Sequence, residues 1–265
     1  MGDAVTATVQ GAAATYYNPA GTVVTCSSCG TTQLLFTHKE WIQDTRMEFL
    51  GASVRIGPTQ AIGISINTMT TSGIEIRTRP GPAEGTFTAR DFSLGVSYAR
   101  MMSEDLRLGA TAKFLYEKIL VDEANGFALD LGGQYVTPFD GLSVGVLIAN
   151  LGSMNDFRSG KMTLPALARV GPAYSLPVTT AQGIVTVEAD FERVFPEKRS
   201  YVNIGGELAF QSLVAARAGY QFGSDGRGFS AGLGLRYGVF MLDYAYAPIS
   251  QDLGNTHTIT LAVNL

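Results

Sequence analysis

Cys26-Ser27-Ser28-Cys29 is the only cysteine pair in the chain. A CxxC of this kind is either a redox motif or half of a zinc site. The first needs a thioredoxin-like βαβ context and the second a further Cys/His pair nearby, and the sequence offers neither. In an oxidising exported compartment a local Cys26–Cys29 disulfide, or two idle thiols, is the expected state. The two histidines, His38 and His257, have no acid or nucleophile at motif spacing. There is no G-x-S-x-G, H-E-x-x-H or P-loop. Gly232-Leu233-Gly234 reads as strand packing, because no helix follows it. No enzyme, metal or cofactor is expected.

The other side chains with chemical potential are charges. Arg107, Lys113, Asp130, Arg169, Glu188, Asp190, Glu207, Arg217, Arg236 and Asp243 lie among many Gly, Ser and Ala. Each alternates with large apolar residues along its segment. What these charges do depends on which way the segments face.

The segments are strands. In Thr256-His257-Thr258-Ile259-Thr260-Leu261-Ala262-Val263-Asn264-Leu265 the apolar residues fall on odd positions from Ile259, with small or polar ones between. Successive side chains of a strand point to opposite faces, so one face is greasy and the other wet. Fourteen such runs, bounded by Gly, Pro, Asp or Asn, are predicted near 31–42, 45–57, 59–70, 87–101, 104–118, 125–137, 141–151, 163–176, 181–193, 199–210, 212–222, 227–237, 239–247 and 256–265. The greasy set includes Phe92, Leu94, Val96 and Tyr98, then Leu142, Val144, Val146 and Ile148, then Phe240, Leu242, Tyr244 and Tyr246. A soluble β-sandwich would put charges on its outer face, not Tyr, Phe and Leu.

Composition agrees. Charged residues are 16% and hydrophobic ones 46%, against roughly 25% charged in soluble domains. No apolar run approaches the roughly 20 residues of a spanning helix. A chain that crosses lipid on strands must close them into a barrel, because lipid satisfies no unpaired backbone group. The expected fold is therefore all-β: a transmembrane antiparallel barrel of about 14 strands in a bacterial outer membrane, with both termini on the periplasmic side. Internal turns would be short and external loops, such as 71–86 and 152–162, longer. Aromatics near strand ends (Trp41, Tyr98, Tyr116, Tyr135, Tyr174, Tyr201, Tyr220, Tyr237) read as interfacial girdles. The ten charges must face the lumen, where five of each sign suggest a mutually paired network bracing the wall rather than an ion-selective pore. A net charge of −4 gives no basic patch for nucleic acid.

Residues 1–30 differ from the barrel segment 31–265. Gly2 to Ala14 is rich in Ala, Thr and Gly, lacks alternation and is predicted to form a short helix. Tyr16-Tyr17-Asn18-Pro19-Ala20-Gly21 then reads as an aromatic anchor and a turn. A small-residue segment ahead of the first strand is a natural plug for the lumen, with Asn18, Pro19, Ala20 and Gly21 as its motif. Met1-Gly2-Asp3-Ala4-Val5-Thr6 is no signal peptide. Either the chain is mature and trimmed, or Met1 is an internal methionine of a longer precursor.

Met1-Gly2-Asp3-Ala4-Val5-Thr6-Ala7, Tyr17-Asn18-Pro19-Ala20-Gly21, His38-Lys39-Glu40-Trp41-Ile42 and Ser97-Tyr98-Ala99-Arg100 come in a telling order. They continue with Leu108-Gly109-Ala110-Thr111-Ala112-Lys113-Phe114, Ala128-Leu129-Asp130-Leu131-Gly132, Ala149-Asn150-Leu151-Gly152, Arg217-Ala218-Gly219-Tyr220 and Leu242-Asp243-Tyr244-Ala245-Tyr246. Together they resemble the PorV/PorQ family, relatives of the FadL-type barrels with fourteen strands and an N-terminal plug. In such relatives the Met-Gly pair lies inside the mature protein, so the resemblance implies that Met1 is internal to a longer precursor. The chain departs from that family in being shorter, in its compact external loops and in its CxxC. The resemblance implies a partner role in type IX secretion, receiving cargo with a C-terminal signal domain and passing it to other secretion-system proteins. The alternative it implies is a FadL-like channel for long-chain fatty acids or other hydrophobic small molecules.

Overall fold

The computed structural model describes residues 1–24, 30–156, 162–178, 183–211, 213–251 and 253–265. The predicted pair Cys26 and Cys29 lies outside them. Fourteen antiparallel strands form one closed barrel. In chain order they are β1 Thr32–Glu40, β2 Thr45–Arg55, β3 Gln60–Ile76, β4 Gly85–Met101, β5 Leu106–Ile119, β6 Asp122–Val136, β7 Leu142–Met154, β8 Leu167–Val178, β9 Gly183–Val194, β10 Arg199–Phe210, β11 Val214–Phe222, β12 Phe229–Tyr237, β13 Phe240–Ile249 and β14 Gly254–Asn264. Each strand pairs with its sequence neighbours, and β1 pairs with β14 from Gln33↔Asn264 to Glu40↔His257. That last seam leaves no open edge.

Alternation sets the two faces. Val96 is 56% exposed, Phe127 69% and Leu233 61%, whereas Ser97, Thr111 and Asn203 on the opposite parity are fully buried. On β4 the outward positions run Arg90, Phe92, Leu94, Val96, Tyr98, Arg100. Ten residues at roughly 3.3 Å each, tilted by about 40°, separate the two arginines by about 25 Å along the barrel axis. That is the height of the apolar band of a membrane barrel. The fold is a transmembrane β-barrel, greasy outside and polar within.

Two features differ from the sequence expectation. β3 and β4 run on to Ile76 and from Gly85, so the connection between them is only 77–84, and β5–β6 turn over at 120–121. The contrast in loop length between the two rims therefore rests on 77–84 and 155–166. The other departure is in β7. Asn150 has φ +60, and the β6–β7 register shifts between Leu129 and Leu131. This bulge adds one residue, so both Ile148 and Leu151 face outward.

Residues 1–24 occupy the lumen, in a different shape from the one expected. The helical turns fall at Gly11–Ala13 and Ala14–Tyr17, not over 2–14. So short a stretch is marginal as a helix even when rich in Ala, and long-range hydrogen bonds to the wall take over instead. Asn18 ends the helix and caps the next turn, Pro19–Thr22, by accepting from the Ala20 amide.

An arginine placed at Val96 should cost about 2–4 kcal/mol of barrel stability, since it would sit at mid-bilayer. The lumen substitution Thr258→Arg should cost less than about 1 kcal/mol. Chemical unfolding in lipid vesicles measures both. Equal costs would contradict the assignment of faces.

Candidate functional site in the barrel lumen

Why does a polar, small-residue segment stay inside? Its backbone amides need acceptors, and the wall supplies them. On β9, side chains of even-numbered residues enter the lumen. Asp190 Oδ2 accepts from the Val5 amide at 3.0 Å, the Thr6 amide at 3.1 Å and the Thr6 hydroxyl at 2.7 Å. Glu188 accepts from the Ala7 amide and the Thr8 hydroxyl, each at 2.6 Å. Hydrogen bonds to a carboxylate are about twice as strong as neutral ones. From β6, Gln134 donates to the Thr6 and Val9 carbonyls, and Gln33 of β1 accepts from the Ala12 amide at 2.6 Å. Asn18 Nδ2 donates to the carbonyls of Thr6, Gly133 and Val146. One amide thus ties the two limbs of the segment to each other and to β6 and β7.

Space for this comes from lumen-facing glycines. A Cβ on Gly145 would stand 2.4 Å from the Thr6 carbonyl group, and one on Gly109 2.4 Å from the Pro19 carbonyl carbon. Any larger residue there would push the segment off the wall.

The ten predicted lumen charges are all on the inward parity, but they do not form one paired network. Lys113 and Asp130 pair at 2.8 Å, and together they clamp the β7 bulge. Asp130 accepts from the Asn150 amide at 2.7 Å, and Lys113 donates to the Asn150 side-chain oxygen. Arg169 pairs with Glu192, its cross-strand partner. Arg217 pairs with both Glu207 and Asp243. Glu188 and Asp190 serve the N-terminal segment instead. Arg107 is buried and its Nη1 has no hydrogen-bond partner among the described residues, while Arg236 donates to the Met241 sulfur at 3.6 Å. Equal counts of each sign cannot distinguish a network from separate clusters plus anchors. Geometry decides that.

Trp41 also departs from expectation. It does not join a lipid-facing girdle. The Lys39 ammonium lies over its ring at 4.6 Å and the Arg227 guanidinium at 4.7 Å, and Arg227 reaches Asp3 of the N-terminal segment at 3.3 Å. Within electrostatic reach of Arg227 and Asp3, Tyr16 makes edge contacts with Tyr17 at 4.9 Å and Phe49 at 5.4 Å. Burial raises the Tyr17 hydroxyl pKa far above its ordinary value, so the phenol stays neutral. An aromatic surface with two cations therefore covers the segment on the side away from the chain ends of the barrel.

The histidines face outward. His38 stands 3.4 Å from Glu48 and 4.0 Å from Glu40, and His257 Nδ1 shares a hydrogen bond with the Tyr244 hydroxyl at 2.8 Å. Sequence reasoning missed Gln33, Gln134, Gly109 and Gly145. All four sit on the inward parity, and amides and glycines on that parity at matched heights were the available signal.

No family model matches the chain, and no curated protein is similar in sequence. Several solved structures are similar in fold. The toluene transporter TodX of Pseudomonas putida superposes with TM-score 0.69 at 10% identity, covering 96% of this chain and 94% of that one. A Pseudomonas aeruginosa FadL homologue gives 0.62 at 11%, over 98% and 95%. Omp33 of Acinetobacter baumannii gives 0.55 at 9%, over 89% and 99%. The chain therefore has the fold of the FadL-like outer-membrane barrels. That likeness concerns architecture alone.

Replacing Asp190 by Ala removes the acceptor of three donors. The amides of Val5 and Thr6 should then exchange with solvent roughly ten- to a hundredfold faster, as expected for about 1.5–3 kcal/mol of charge-assisted hydrogen bonding. Hydrogen-exchange mass spectrometry of the barrel in detergent reads this directly. Unchanged exchange would show that the segment is held by something else.

Proposed function

We propose that the chain is a non-enzymatic transport barrel of a bacterial outer membrane, with the rim carrying the chain ends on the periplasmic side. In this reading residues 1–24 are its plug. The finer role the geometry favours is a conduit for small apolar or aromatic molecules. Its mouth is the aromatic surface of Tyr16, Tyr17, Phe49 and Trp41, the observation that carries the proposal. Flat rings stack well on such a surface, and Lys39 and Arg227 beside it suit a molecule with a polar or anionic end. TodX and the FadL homologue support this reading as relatives in fold.

The order of the sequence motifs favours a second role, the type IX cargo shuttle of the PorV/PorQ kind. Receiving a folded signal domain needs broad external contacts. The connections on the rim away from the termini are short except for 77–84 and 155–166, which weighs against it.

Cells producing the barrel should accumulate naphthalene faster than cells without it. The double substitution Tyr16→Ser and Phe49→Ser should reduce that gain by at least about fivefold, the scale of losing one stacking contact of roughly 1 kcal/mol. Co-purification with isolated C-terminal signal domains, together with naphthalene uptake unaffected by the substitutions, would favour the shuttle and overturn the conduit.

A further inference from the structure

The N-terminal segment does not fill the lumen evenly. Its hydrogen bonds reach β1, β6, β7 and β9, Asp3 pairs with Arg227 ahead of β12, and Met1 and Gly2 pack on Gly205 of β10 and Gly219 of β11. On the walls it covers, inward side chains are sealed: Ser97, Thr111 and Asp190 are 0% exposed and Gln134 1%. The opposite sector is different. There the register brings Arg217, Gly232, Ala245 and Thr258 side by side in one row across β11–β14, and Ala215, Gly234, Asp243 and Thr260 in the next. Except for Arg217 and Asp243 these are small residues. Ala245 is exposed, and Gly232, Thr258 and Thr260 are partly so, although all face inward.

Two cavities continue the space towards the rim that carries the chain ends. One of about 110 Å³ is bounded by Glu207, Ala209, Arg217, Gly234 and Asp243. The other, of about 220 Å³, lies between Gln10, Gly11 and Thr22 of the N-terminal segment and Ser53, Arg55 and Asn264 of the wall. Arg236 and Met241 line both, so the two adjoin.

We propose that this uncovered sector is a water-filled path for small hydrophilic solutes and ions, running beside the seated N-terminal segment, and that Arg217 sets its bore. Arg217 reaches from β11 past β12 to Asp243 on β13. It can do so because Gly234 lies beneath it, where a Cβ would meet Asp243 Oδ1 at 2.4 Å and Arg217 Nη1 at 3.0 Å. Clasped by Glu207 on one side and Asp243 on the other, its guanidinium is held along the wall above Gly234, where it narrows the path. The three side chains remain 25–27% exposed, so solvent reaches the clasp. The path follows β11–β14, and it borders the apolar route only where Thr258 pairs with Lys39 and Thr260 with Thr37 on β1.

Conductance of the full chain in planar bilayers with a KCl gradient tests this. The wild-type barrel should conduct. Arg217→Ala should raise conductance by at least about twofold and move the reversal potential towards potassium, by widening the path and leaving two acids unbalanced. The pair Glu207→Gln and Asp243→Asn should move it towards chloride. Ala245→Trp, which enters the path from β13 between Gly232 and Thr258, should lower conductance by more than about half. Circular dichroism identifies a variant that fails to fold. Two results would each overturn the proposal: no conductance from either wild type or Arg217→Ala, or a folded Ala245→Trp barrel that conducts like wild type. Naphthalene uptake should be unchanged in Ala245→Trp, so failure of this path and failure of the apolar route are read separately.

Discussion

Everything in this molecule follows from the rule that a backbone group in lipid must find its partner within the protein. A sheet meets that rule only by closing, and the β1–β14 seam is where it closes. Eight paired positions from Gln33↔Asn264 to Glu40↔His257 do this, reinforced inside by the Thr37–Thr260 hydroxyl pair at 2.9 Å. Closure turns every strand's alternation into an inside and an outside. Side chains of one parity must then suit hydrocarbon, and those of the other share a confined polar space.

That confined space has its own accounting problem. Fourteen strands enclose more volume than inward Gly, Ala, Ser and Thr can fill. The N-terminal segment fills part of it, but a segment with so little regular structure brings unpaired amides. Asp190, Glu188 and Gln33 accept from those amides and Gln134 donates to carbonyls of the same segment, so two carboxylates that would otherwise need salt-bridge partners are held by backbone and hydroxyl donors. The same reasoning explains why the lumen divides in two. Where amide acceptors and glycines line the wall the segment seats. Where Arg217 reaches over Gly234 to Asp243, only Met1 and Gly2 come near it, seated on Gly219 and Gly205.

The strands and their faces were legible because a period of two is a strong local signal and lipid enforces it without exception. Val96, Phe127 and Leu242 could be assigned from parity alone. The bulge at Asn150 was not legible, because it depends on Lys113 and Asp130 from two other strands. Nor was the division of the ten charges into pairs and anchors. Asp190 and Asp243 have the same parity and similar neighbours in sequence, yet one holds backbone amides and the other a guanidinium. Trp41 was misread for a related reason. A tryptophan at a strand end fits a girdle by position, and only the approach of Arg227, far along the chain, shows that it faces inward.

Spin labels placed singly at positions 92 to 98 of β4, on a background with Cys26 and Cys29 replaced by serine, test the central claim most directly. With the barrel in lipid bilayers, labels at 92, 94, 96 and 98 should collide with dissolved oxygen and be shielded from a water-soluble relaxation agent. Labels at 93, 95 and 97 should show low oxygen collision. A flat profile along the strand, or access of the water-soluble agent to the even positions, would contradict a sheet whose greasy face meets the bilayer.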